Sequence, residues 1–84
     1  MRRGRSKTAQ LRIPGRRGVE TVELGSRIRL WRRDVWWALT LHRNGALHAP
    51  RLPQGWFVEL GQRNYELTIT VYAPAGVKVE IERL

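Results

Sequence analysis

The sequence predicts an all-β fold: a small antiparallel meander of six or seven short strands, closed as a barrel or folded as a sandwich, behind a flexible basic N-terminal arm. Three observations carry that prediction. Apolar residues alternate with period two from residue 19 onward, turn residues recur at hairpin spacing, and positive charge is gathered at one end of the chain.

The elements follow in order. In residues 19–24, Val22 and Leu24 share a face with Glu23 opposed, and Gly25-Ser26 is a break. Residues 27–31 resume the alternation with Ile28 and Leu30 inward, and Arg32-Arg33-Asp34 suits a turn. Val35, Trp37, Leu39 and Leu41 then line one face of a strand over residues 35–42. Helical spacing has some support over residues 29–41, but β-branched and aromatic residues dominate there and favour strand. Asn44-Gly45 reads as a two-residue type I′ hairpin loop, since both residues tolerate positive φ, with residues 46–49 as the return strand. Pro50, Pro53 and Gly55 interrupt the ladder; residues 56–60 form a strand and residues 61–64 a turn. Tyr65, Leu67, Ile69 and Val71 give the best alternation, against Glu66, Thr68, Thr70 and Tyr72. After a turn at residues 73–76, Val77, Val79 and Ile81 alternate with Lys78, Glu80 and Glu82, a strand with a wet outer face.

Charge divides the chain. Its net charge is +9, and residues 1–18 hold Arg2, Arg3, Arg5, Lys7, Arg12, Arg16 and Arg17 with no acid. Residues 19–84 hold nine basic and seven acidic residues. The reading is therefore a basic arm, 1–18, disordered or extended, and a small β-domain, 19–84. Gly4, Pro14, Gly15 and Gly18 oppose a continuous helix in the arm, although the alternation of Leu11 and Ile13 also allows a short strand beside the body. Fully extended, the arm would reach about 60 Å. Its removal is expected to leave the β-domain folded.

Most chemistry is poorly served. There is no cysteine, and Ser6 and Ser26 lie in the arm and at a break, so no activated nucleophile is evident. Glu59 and Glu66 approach one another on a hairpin, but as isolated surface carboxylates they lack the burial that tunes a catalytic pKa. With a two-residue loop His42 faces Leu47 and His48 faces Leu41, so the two imidazoles point apart; even together they fall short of the three protein ligands of a catalytic zinc. The expectation is a non-enzymatic chain with no metal, no cofactor and no small-molecule substrate. No apolar run is long enough to cross a membrane as a helix and no secretory signal is present, which points to the cytoplasm or a virion.

Arginine and tryptophan stand out. Arginine outnumbers lysine 14 to 2, and its planar fork binds phosphate or carboxylate and stacks on rings. Trp36 and Trp37 must face opposite sides of a strand; if Trp37 is inward, Trp36 shares an outer face with Trp31, beside Arg27, Arg29 and Arg32. That set is a stacking platform for single-stranded nucleic acid or, by tryptophan's enrichment at interfaces, a subunit contact. The leading functional expectation is a structural component of a large particle, a virion or nucleoprotein. It docks on neighbouring subunits by an aromatic β face while the arm contacts nucleic acid or an acidic protein surface. A free-standing, sequence-tolerant nucleic-acid binder and a small regulator of an acidic protein surface are the alternatives.

Overall fold

Alternate side chains along each strand are divided between one shared interior and two outer faces, and the product is a two-layered β-sandwich. The computed structural model describes residues 8–15 and 17–84. Its strands are β1 (Thr8–Arg12), β2 (Glu20–Glu23), β3 (Ser26–Arg32), β4 (Val35–Leu41), β5 (Leu47–His48), β6 (Phe57–Arg63), β7 (Glu66–Tyr72) and β8 (Lys78–Arg83). The first sheet has the order β2-β1-β7-β6 and the second β5-β4-β3-β8. Both are open, so the fold is a sandwich and not a closed barrel. Eight strands replace the six or seven expected, and among the described residues there is no helix. All pairings are antiparallel except that of β1 with β7, which is parallel.

The core lies between the sheets. Ala9, Leu11, Val22, Ile69 and Val71 come from the first sheet, Ile28, Leu30, Leu39 and Leu41 from the second, and Val77 from the approach to β8. Burial of each leucine, isoleucine or valine contributes about 1.5–3 kcal/mol relative to exposure. In a domain this small, where the fraction of surface buried is low, those few side chains decide whether it folds.

The expected boundary after residue 18 is corrected by β1. This strand lies inside the first sheet, with Ala9 opposite Val22 and Leu67, and Leu11 opposite Glu20 and Ile69. Ala9 is fully buried and Leu11 is 3% exposed. The physical reason is local: the basic character averaged over eighteen residues conceals the five-residue stretch Thr-Ala-Gln-Leu-Arg, which alternates and fills a vacancy between β2 and β7. Arg2, Arg3, Arg5, Lys7 and Arg16 fall outside the described residues.

Two turns also differ from expectation. Gly61 does not end its strand: β6 runs on to Arg63, and the turn is Asn64-Tyr65, both with positive φ (52° and 66°). Tyr65, expected inward, sits on that turn and is 72% exposed. In the β4–β5 hairpin, Leu41 pairs with Leu47 and Thr40 with His48. The His42 N–H donates to the Ala46 carbonyl (2.8 Å) and the Gly45 N–H to the His42 carbonyl (2.9 Å), with Gly45 at φ 91°. The loop therefore has three residues ending in a left-handed glycine, the commonest device after the two-residue turn. This one-residue change puts His42 and His48 on the same parity instead of pointing them apart. Both are exposed, and among the described residues no group of three or more His, Cys, Asp or Glu side chains gathers.

Candidate binding face

The outer face of the second sheet is built by register. β3 presents Arg27, Arg29 and Trp31, β4 presents Trp36, Ala38 and Thr40, and β8 presents Lys78, Glu80 and Glu82. Pairing arranges these in rows across the strands. Lys78, Trp31 and Trp36 form one row; Glu80, Arg29 and Ala38 the next; Glu82, Arg27, Thr40 and His48 a third.

Trp31 and Trp36 are thus direct cross-strand partners, and Arg29, two positions along β3, lies over both. Its guanidinium carbon is 5.4 Å from the Trp31 ring centre and 4.9 Å from that of Trp36. Each such contact contributes about 0.5–1 kcal/mol at an exposed site. Arg29 is half-buried and Trp36 is 53% exposed. The two arginines of this face are also matched to carboxylates on β8, Arg29 to Glu80 at 3.7 Å and Arg27 to Glu82 at 3.4 Å. The result is an aromatic surface whose two arginines stand beside carboxylates, while Lys78, in register with Trp31, is a third cation on the same face.

Arg32 does not belong to this face. It shares the parity of Ile28 and Leu30, at the end of β3, and its Nε donates to the Ala75 carbonyl at 3.4 Å. Alternation places it on the other side from Trp31, which the grouping of Arg32 with the outer-face arginines overlooked. Arg12 and Arg17 are exposed, with Arg12 on the outer face of the first sheet opposite Thr70. The tryptophan face and Arg12 therefore lie on opposite sides of the sandwich and are not brought together.

The other two tryptophans have a packing role. Trp37, half-buried and on the inner parity of β4, meets Trp56 at the entry to β6, with ring centres 4.5 Å apart and planes tilted by 51°. This contact ties the proline-containing connection to the second sheet.

Sequence reasoning missed a second aromatic pair. Phe57 and Tyr72 are register partners on the outer face of the first sheet and stack at 4.5 Å with planes 23° apart. The Tyr72 hydroxyl donates to Glu59 Oε1 at 3.0 Å, and this hydrogen bond, with burial and the Glu59 charge, raises the Tyr72 pKa above its usual value against a lowering by Arg12. Placing the turn at Asn64-Tyr65 would have revealed the pair, because residues 57 and 72 then fall opposite each other. Glu66, by contrast, pairs with Arg63 and not with Glu59, so the two carboxylates stand four positions apart along the ladder. Compared with family models, curated proteins and solved structures, the chain matches none.

Proposed function

We propose that this chain is a non-enzymatic assembly component of a larger particle, a virion or nucleoprotein. The tryptophan face of the second sheet docks on a neighbouring protein subunit, and the basic N-terminal residues contact nucleic acid or an acidic neighbour. The observation that carries the reading is the charge-matched aromatic face. Trp31 and Trp36 lie side by side under Arg29, and Arg27 and Arg29 each have a glutamate partner. A phosphate track needs uncommitted cations beside its rings; a subunit contact needs an aromatic anchor with its charges balanced. The two arginines of the face have the second character, and Lys78, in register with Trp31, is its remaining cation.

The concentration of seven cations and no acid in residues 1–18 supports the second reading, nucleic-acid binding without base-specific contacts. One pair of variants separates the two surfaces. Replacing Arg2, Arg3, Arg5 and Lys7 by serine is expected to reduce the slope of log affinity for a single-stranded oligonucleotide against log salt by about 3. Trp36→Ser is expected to leave that slope unchanged and to abolish incorporation into the particle. Protection of Trp36 fluorescence from acrylamide by the oligonucleotide alone would reverse the assignment of the face from protein to nucleic acid.

A further inference from the structure

Four strand edges bound the two sheets, and three of them carry features that discourage pairing. β2 is four residues long, with Glu20 and Glu23 at its ends. β5 has only two residues and is followed by Pro50 and Pro53. β8 carries Lys78, Glu80, Glu82 and Arg83. Short length, proline and charge are the usual means by which an edge is kept from templating another strand.

β6 differs. It is seven residues long, contains neither proline nor lysine, and pairs with β7 without a bulge from Phe57↔Tyr72 to Arg63↔Glu66. Among the described residues no strand pairs with its other side. The direction of its free groups follows from the turn. With Asn64 and Tyr65 both left-handed, the β6–β7 loop is a two-residue type I′ turn closed by a hydrogen-bonded Arg63–Glu66 pair. Hydrogen-bonded and non-hydrogen-bonded pairs then alternate, so Val58, Leu60 and Gln62 turn their N–H and C=O groups away from β7. Leu60 has the inner parity but is 42% exposed, and Phe57 is 52% exposed.

We propose that β6 pairs antiparallel with β6 of a second copy of this chain about a two-fold axis at Leu60, joining the two first sheets into one of eight strands. The register is set by the outward groups. Only an axis at Leu60 uses all three residues, with Leu60 opposite Leu60 of the second copy and Val58 opposite its Gln62. Six backbone hydrogen bonds result, two from each of three pairs. Phe57 then faces Arg63 of the second copy, a cation over a ring, and Glu59 lies diagonally from that same arginine, within reach of a long side chain. A shift of two residues one way sets Glu59 against itself; two the other way drops Val58 from the pairing. The charges on this edge therefore select a partner. Such a contact is isologous, as closed dimers require. It is independent of the tryptophan face.

Sedimentation equilibrium of the full chain, from about 1 μM to 1 mM in about 0.15 M salt to screen the net charge, tests the proposal. The expected result is a monomer–dimer equilibrium. Leu60→Lys, which sets two ammonium groups face to face, is expected to lower the association constant at least about tenfold. Leu60→Pro removes only an outward N–H, as an edge position tolerates, and should do the same. Arg63→Glu, at an exposed site and with folding checked by its thermal transition, should weaken the dimer, and the double variant Glu59→Arg/Arg63→Glu should restore it. Trp36→Ser should have no effect on it. A monomer throughout the range, or a dimer indifferent to Leu60→Lys and Arg63→Glu, would overturn the proposal while leaving the tryptophan face as a separate question.

Discussion

Leu11→Ala is the sharpest test of the fold, because Leu11 lies in a segment whose composition reads as a leader and whose packing reads as core. The side chain is 3% exposed and stands in line with Ile69 on one neighbouring strand and Glu20 on the other. Truncation of a buried leucine costs about 2–5 kcal/mol, the lost transfer free energy plus the cavity left behind. A domain of this size loses about 4–8 °C of Tm per kcal/mol, so a fall of about 10–30 °C is expected. Arg12→Ala, at the adjacent exposed position, should stay within about 0.5 kcal/mol of the parent. Deleting residues 1–18 removes the whole strand, uncovers Val22 and Ile69, and is expected to abolish the cooperative transition. Thermal denaturation followed by tryptophan fluorescence reads all three. If Leu11→Ala melts with the parent, or a 19–84 fragment folds cooperatively, β1 is peripheral and the reasoning fails.

Two further outcomes are expected. In a Tyr65→Phe background Tyr72 is the chain's sole tyrosine, and its phenolate absorbance should rise at higher pH than in the same protein carrying Glu59→Gln. Because the folded pKa is raised, the associated stability is present below the ordinary tyrosine pKa and is lost as pH climbs through the folded value; equal midpoints would refute the hydrogen bond's role. Gly25→Ala forces a Cβ onto a backbone at φ +85° and to 3.1 Å from the Arg43 Cγ. Arg43 is exposed and its side chain can move aside, so the loss of about 1–2 kcal/mol, measured by urea denaturation, should come from the backbone.

Much of the second sheet was legible in the sequence. Ile28, Leu30, Leu39 and Leu41 sit where alternation puts them, and the same alternation places Trp31 and Trp36 on the outer face. Arg32 obeys that rule too; grouping it with Trp31 followed nearness in sequence and neglected parity. What alternation cannot supply is loop length. One residue in the β4–β5 loop moves His42 and His48 from opposite sides to one side, and the β6–β7 turn three residues later than expected turns Tyr65 from core to surface. Glycine is a weak stop signal at the β6–β7 turn: Gly61 remains inside a strand, whereas Tyr65 accepts a left-handed conformation. The parallel β1–β7 pair was beyond such reading, because it joins segments that no hairpin connects and nothing local announces the partner.

Under the proposed function, the distribution of ion pairs would let the sandwich and the basic N-terminal residues serve different partners. Arg27–Glu82 and Arg29–Glu80 cross from β3 to β8 on one face, and Arg83–Glu23, at 2.8 Å, ties β8 of the second sheet to β2 of the first. With side chains from 31% exposed at Arg29 to 75% at Arg83, such pairs add little to stability, about 0–1 kcal/mol each. Their larger effect is on the field outside the protein. A guanidinium beside a carboxylate presents a dipole whose potential fades within a few ångströms, while a run of cations without an acid in sequence, as in residues 1–7, carries a net charge whose field extends over a Debye length of about 8 Å. On that proposal, long-range attraction to a polyanion would come mainly from the N-terminal residues, and the tryptophan face would act by short-range contact. A partner proposed for that face would have to match shape and aromatic surface, since Arg27 and Arg29 are already set against Glu82 and Glu80 within the sheet.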